Sequence, residues 1–370
     1  MDFSFTEEQQ DVEALTRQIL TDRVTHESLT ELEAAGGDRH DADLYAELAK
    51  ANLLGISLPE DVGGSGFGIV EQLLVLVEVG RALAPVPVLP SIVMGAMPIA
   101  EFGSAAQKER WVRPAIEGEV ILTAALAEPL NSDPTRPSTT ARRVDDGWVL
   151  DGVKTGVPVA PMADLIVVPA SVDGEARLFL VEPGADGVTI SPQETTNRER
   201  YGYVELADVH VPADGVLGDA SAVGWLHQRA TLGLCAMQLG ITETAMRATA
   251  EYTKERVQFE RPIGTFQAVG HRLADAYIDV EGIRLTLWQA AWRLSHGDSG
   301  RLDVASAKFW ASEGGHRVAH AVVHLHGGMG VATEYFIHRY FIHAKQIEFM
   351  LGGATEQAMS IGTDLALELS

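Results

Sequence analysis

One cysteine, Cys235, stands among 370 residues. That excludes an internal disulfide and leaves no thiol cluster for zinc or iron–sulfur. Set in the apolar run LGLCAMQLG, Cys235 reads as a small core residue. Basic residues are also scarce: 28 Lys and Arg face 52 Asp and Glu, for a formal net charge of -24. Such a surface repels a phosphate backbone or an anionic bilayer, so neither nucleic acid nor a membrane is an expected partner. An uninterrupted apolar stretch is missing too. The longest uncharged segment, Ala82 to Ala100, is broken by Pro85, Pro87, Pro90 and Pro98. The opening MDFSFTEEQQDVEAL carries acids where an export signal needs a basic end, and the expected compartment is the cytoplasm. The histidines between His316 and His343 have no metal-binding spacing and read as packing and capping residues.

What is present falls into three textures. Residues 1–118 read as a helical amino-terminal domain: Thr6 and Gln9 have capping-box spacing, and Val12, Leu15, Ile19 and Leu20 follow on one expected face. Within it, the Gly- and Pro-rich Ser57–Gly68 reads as a turn or structured loop. Residues 119–218 turn to short apolar runs (VLDGVKTG, DLIVVPA, RLFLV) punctuated by Asp-Gly and Pro-Gly, the pattern of a small barrel-like β domain. From 219 to 370 helical periodicity returns, with apolar residues round much of each helix, as in a four-helix bundle. The fold class expected is α+β multidomain.

Five segments in this order resemble the acyl-CoA dehydrogenases over essentially the whole chain. LPEDVGG is similar to the family's loop before its third helix, and AEPLNSD (Ala127–Asp133) to its TEPxxGSD segment. WVLDGVKTGVPVAPMADLIVVPA follows the family's strand pattern, KERVQFERPIGTFQ (Lys254–Gln267) its ERxxFGxPI…Q segment, and HLHGGMGVATEY (His324–Tyr335) its QxxGGxGxxxEY. The resemblance implies FAD-dependent α,β-desaturation of an acyl-CoA thioester, with electrons passed to an electron-transfer flavoprotein or similar acceptor. A carboxylate base must then take the α proton, and a dry pocket raises its pKa toward that task.

Both places where the family keeps that base are empty. Counting from Ala344 and Lys345, the family's YEGT segment becomes Met350, Leu351, Gly352 and Gly353, so leucine holds the catalytic place; at the alternative location Gln228 precedes Arg229. Glu348 and Glu356 are the nearest carboxylates, but their offsets from Leu351 put them on other helical faces. No catalytic residue is therefore assigned.

The resemblance also implies a flavin held by two subunits. For this chain's own ring site, Ala127 replaces a threonine, Asn131 a glycine, and KTGVP (Lys154–Pro158) lacks the family's W-I-T/S. Gly353 and Thr355 replace the threonine and glutamine past the base. The half serving a neighbour's flavin is kept: Arg256 for the pyrophosphate, Phe259 to pack on the cofactor, Gln267 after them, and Gly327 and Gly328 for close approach at the adenylate, with His324 in place of glutamine. The pattern is similar to the base-less subunits of heterotetrameric actinobacterial acyl-CoA dehydrogenases of steroid side-chain catabolism. It implies a homologous catalytic partner and a bulky acyl-CoA. Two other readings stay open: an active homotetramer with a relocated base, and a flavin-free structural or interaction protein.

Overall fold

The computed structural model describes residues 4–37 and 39–368. Its helices are α1 (Glu7–Arg23), α2 (His26–Ala35), α3 (Ala42–Lys50), α4 (Ile69–Ala82), α5 (Met97–Phe102), α6 (Ala105–Gln107), α7 (Arg113–Ile116), α8 (Ser221–Glu255), α9 (Gln267–Ser295), α10 (Arg301–His326), α11 (Ile337–Phe349) and α12 (Ala354–Glu368). The strands are β1 (Leu122–Ala124), β2 (Thr140–Val144), β3 (Gly147–Pro158), β4 (Leu165–Val172), β5 (Glu175–Val181), β6 (Val188–Glu194), β7 (Arg200–Pro212), β8 (Val216–Leu217), β9 (Val257–Gln258) and β10 (Arg261–Pro262). Helices, then a sheet, then long helices give the α+β class expected from the sequence. The chain forms two compact units, one of residues 30–72 and 85–230, the other of 1–29, 73–84 and 231–370.

The first unit is organised by a sheet in the order β6-β7-β3-β2-β4-β5-β8, with β1 added in parallel to β4. Alternate residues of β3, β4, β5 and β7 point into one core, where Leu150, Ile166, Val168, Phe179 and Val204 have no exposed surface. Pairing of β3 with β7 slips between Leu150 and Gly152 and again between Lys154 and Val157. The second bulge lifts Thr155 and Gly156 out of the ladder, which re-aims the backbone there. The Ser57–Gly68 segment is a packed loop: Gly64 N–H donates to the Pro59 carbonyl at 2.9 Å, and a Cβ on Gly64 would sit 2.1 Å from the Leu58 carbonyl oxygen.

In the second unit, Thr6 and Gln9 form the reciprocal capping box at the start of α1, at 3.3 and 3.0 Å. The buried face of that helix is Val12, Thr16 and Leu20, while Leu15 is exposed. Thr16 can replace an apolar residue because its hydroxyl donates to the Val12 carbonyl at 2.7 Å. α10 packs on α9, α11 and α12. α4 and α8 cross with backbones in contact: a Cβ on Gly80 would lie 2.2 Å from the Met237 carbonyl oxygen, and one on Gly240 2.0 Å from that of Val77. Arg81 bonds Glu78 at 3.1 Å and Glu243 at 2.9 Å beside this crossing. The helices are less enclosed than their composition predicts. Tyr277, Ile278 and Leu285 on α9, and Met359 and Leu367 on α12, are exposed.

Gly240→Ala should destabilise the protein by about 1–3 kcal/mol, since the added methyl meets backbone that cannot step aside. Gly362→Ala, on α12 where an added Cβ meets nothing within 4 Å, should instead stabilise by about 0.5–1 kcal/mol. Denaturant midpoints of the two variants should move in opposite directions.

Candidate functional site

The inward face of β3 carries Lys154 into the sheet's core, where its side chain has no exposed surface. An ammonium there needs a counter-charge. Glu128 supplies it, with its carboxylate 2.7 Å from Nζ. The same carboxylate accepts the N–H groups of Ser138 at 2.6 Å and Thr139 at 2.9 Å. Burial works to raise the Glu128 pKa, but the Lys154 and Thr139 bonds outweigh it and hold it at about 2. Burial pulls Lys154 down despite the opposing pull of Glu128. No sequence pattern points to this pairing, because 26 positions separate the partners.

This ion pair anchors the segments that the resemblance gives to the flavin ring. Thr155 N–H donates to the Ala127 carbonyl at 3.0 Å, and the Pro158 carbonyl accepts from Thr123 Oγ1 at 2.7 Å. Gly156 has φ +57° and donates its N–H to Gln193 Oε1 at 3.1 Å, and an added Cβ would meet nothing within 4 Å. Where the family carries a large aromatic there is thus open space and no side chain. Pro158 has no N–H to offer. Asn131 spends its side chain on its own loop, Nδ2 donating to the Arg136 carbonyl and Oδ1 accepting from Asp133 N–H, both at 3.0 Å. These residues offer a flavin ring neither an aromatic face at 156 nor an N–H at 158.

The other set lies in the second unit. The end of α8 runs into a two-residue hairpin, in which Val257 faces Pro262 and Gln258 faces Arg261. Its turn, Phe259–Glu260, has φ of +52° and +65°, the left-handed conformation at both positions that asparagine and glycine adopt most easily. Phe259 is 86% exposed. Arg256 is exposed, and its guanidinium has no hydrogen bond or ion pair among the described residues. Gln267 opens α9, its amide 3.4 Å from His271 Nε2. His324 is exposed near the end of α10, and its carbonyl accepts the N–H of Gly327. Gly327 takes φ 62°, ψ -141°, a conformation only glycine adopts readily, and neither it nor Gly328 has an atom within 4 Å of an added Cβ.

One contact joins the two segments. Tyr252, a turn before Arg256, stacks on His326 with centroids 4.3 Å apart, and His326 directly precedes Gly327. An unpaired guanidinium, a presented aromatic and an open glycine backbone fit the phosphates and adenylate of a dinucleotide.

Leu351 is 7% exposed in a left-handed turn of φ +54°, followed by Gly352 at +88°. Two side chains grip this turn. Gln357 Nε2 donates to the Leu351 carbonyl at 3.0 Å, and the fully buried Lys308 donates to those of Ile347 at 3.0 Å and Glu348 at 3.2 Å. Burial lowers the Lys308 pKa to about 8. The Glu348 carboxylate is held by Lys345 and lies 3.2 Å from His316 Nδ1, so it is already engaged. Glu356 is exposed, with no hydrogen bond or ion pair among the described residues. Among the described residues, no group of three His, Cys, Asp or Glu could hold a metal ion.

Family models match in chain order: acyl-CoA dehydrogenase N-terminal domain over residues 6–119, middle domain over 123–209 and C-terminal domain over 224–365. The chain is 44% identical to acyl-CoA dehydrogenase FadE27 of Mycobacterium tuberculosis, covering 99% of each. A chain of the ChsE4–ChsE5 complex from Mycobacterium tuberculosis superposes with TM-score 0.94 at 45% identity, covering 99% of each. A chain from a variant of the Tcur3481–Tcur3483 steroid ACAD gives TM-score 0.93 at 41% identity, covering 98% of this chain and 99% of that one.

Lys154→Met leaves the Glu128 carboxylate buried without its cation and should cost about 3–5 kcal/mol. Adding Glu128→Gln should recover most of that loss. The Glu128 contribution has a defined pH window: its folded pKa of about 2 is below the ordinary 4.5, so the stability is complete above 4.5 and is lost as pH falls toward 2. Acid unfolding curves of wild type and double variant should therefore converge across that interval.

Proposed function

The chain belongs to the acyl-CoA dehydrogenase family, and from that membership we propose that it is the base-less subunit of a FAD-dependent acyl-CoA dehydrogenase. In this reading it lends Arg256, Phe259, Gln267, His324, Gly327 and Gly328 to a flavin whose ring lies in a homologous catalytic partner. The observation that carries it is the contrast within one chain. The 256–267 and 324–328 segments offer a free cation and open backbone, whereas Gly156 and Pro158 offer a ring nothing, and Leu351 has no proton to exchange.

FAD, when bound, accepts the hydride from the β carbon of the acyl thioester. This chain's share is positioning: the Arg256 guanidinium binds pyrophosphate oxygens, and the glycine backbone admits the adenylate. The α proton goes to the partner's carboxylate. The exposed Tyr277, Ile278 and Leu285 on α9 and Met359 and Leu367 on α12 support association with that partner, most simply as a heterotetramer. Similarity to a chain of a steroid ACAD supports a bulky substrate such as a steroid side-chain acyl-CoA. An electron-transfer flavoprotein or similar acceptor, cytoplasmic residence and the three-part division at 118 and 218 belong to the same proposal. Among the described residues no helix is long and apolar enough to cross a membrane.

The deciding experiment is co-expression with a homologous dehydrogenase chain bearing the family's glutamate, followed by a flavin-to-protein ratio. Fewer flavins than chains is expected; one per chain would contradict the proposal. Arg256→Ala should lower flavin affinity by at least about tenfold, given charge-assisted bonds of roughly 1.5–3 kcal/mol each. Equilibrium dialysis of the assembled complex measures it.

A second reading, an active homotetramer with a relocated base, draws on Glu356, whose carboxylate is exposed and unpaired. Under the proposed function Glu356→Gln and Glu348→Gln leave turnover near wild type. A fall of orders of magnitude in either variant, with flavin and assembly intact, would establish the relocated base instead.

A further inference from the structure

The first turns of α8 carry a guanidinium with no ion pair among the described residues. Arg229 lies over the Trp225 ring, 3.6 Å from its centroid, and Nη1 donates to the Trp225 carbonyl at 3.3 Å. Phe102 meets the indole edge-on at 5.3 Å. Phe102 is itself pressed against Gly218, where an added Cβ would come within 2.9 Å of its ring. Gly218, Phe102, Trp225 and Arg229 therefore form one buttressed stack within the unit of residues 85–230.

Stacking fixes the plane of the guanidinium and leaves its N–H edge uncommitted. Five donors are available, and among the described residues one hydrogen bond, at 3.3 Å, is made. Burial has removed much of the surrounding water, enough to bring the Arg229 pKa down to about 10, with Glu101 opposing only from outside ion-pair range. His227, two positions earlier, adds no counter-charge, and its Nε2 is buried without a partner among the described residues. A cation so placed matches an anion that arrives with its own flat pair of acceptors. A carboxylate has that shape and engages such a fork with two parallel bonds. One cation, in a chain of net charge -24, suits a monoanion better than a phosphate dianion.

We infer that the free edge of Arg229, presented on the Trp225 ring, is a binding site for the carboxylate group of a small organic acid. None of its residues belongs to the flavin set, and Arg229 directly follows Gln228 at the family's alternative base location.

Trp225 is its own reporter. The full-length protein, as it purifies, is titrated with propanoate, with neutral propanamide and with inorganic phosphate. Tryptophan emission is followed in wild type and in Trp225→Phe, whose difference isolates Trp225. A saturable change with propanoate alone is expected. Arg229→Met should weaken it at least about tenfold, and Arg229→Lys, which keeps charge without the fork, at least about threefold. The inference is overturned by no saturable response to propanoate, by an equal response to propanamide or phosphate, or by undiminished affinity in Arg229→Met. Should that variant not fold, Arg229→Lys decides: wild-type affinity in it overturns the site.

Discussion

A lysine without water must have a carboxylate, and the sheet unit is arranged around that requirement. Lys154 is placed inside by the alternation of β3, and Glu128 must then be brought to it from a loop that precedes β2. The bonds from Ser138 and Thr139 fix the far end of that loop on the same carboxylate. The geometry of residues 127–139 and 154–158 thus follows from one ion pair. It holds in place the segments that carry Gly156 and Pro158. Charge fixes this part of the sheet unit.

In the helical unit the comparable constraint is the approach of α4 to α8. Glycines 80 and 240 let the backbones touch, which brings Arg81 within reach of Glu243. Burial raises and the surrounding arginines lower the Glu243 pKa, which ends at about 2, so the carboxylate stays charged beside Arg81, Arg247 and Arg284. α8 leaves this crossing and ends at Glu255, immediately before Arg256. The position of the candidate pyrophosphate contact is therefore set by a helix anchored several turns away.

Local signals are legible in the sequence and non-local ones are not. The Thr6–Gln9 box needs only its own turn, and it forms as its spacing predicts. Leu15 reads as a core residue because periodicity counts apolar types, whereas Thr16 takes the buried place by bonding within its helix. The candidate site residues are legible through motifs, yet the left-handed φ values at Phe259, Glu260 and Leu351 are not, since none of those residue types favours them. The stack of Tyr252 on His326, which joins the two halves of the set, spans 74 positions and leaves no pattern to read.

The Phe259–Glu260 turn has a wider consequence. Asparagine–glycine would close the same hairpin without the steric cost that a phenylalanine and a glutamate meet at positive φ. A sequence shaped by its own folding alone would carry that dipeptide there. This chain instead holds an aromatic ring outward at the tip of a strained hairpin, where its own core gains little from it. At this turn backbone ease gives way to an outward ring: the positive φ values of Phe259 and Glu260 belong to the folded chain, so their steric cost is met on folding.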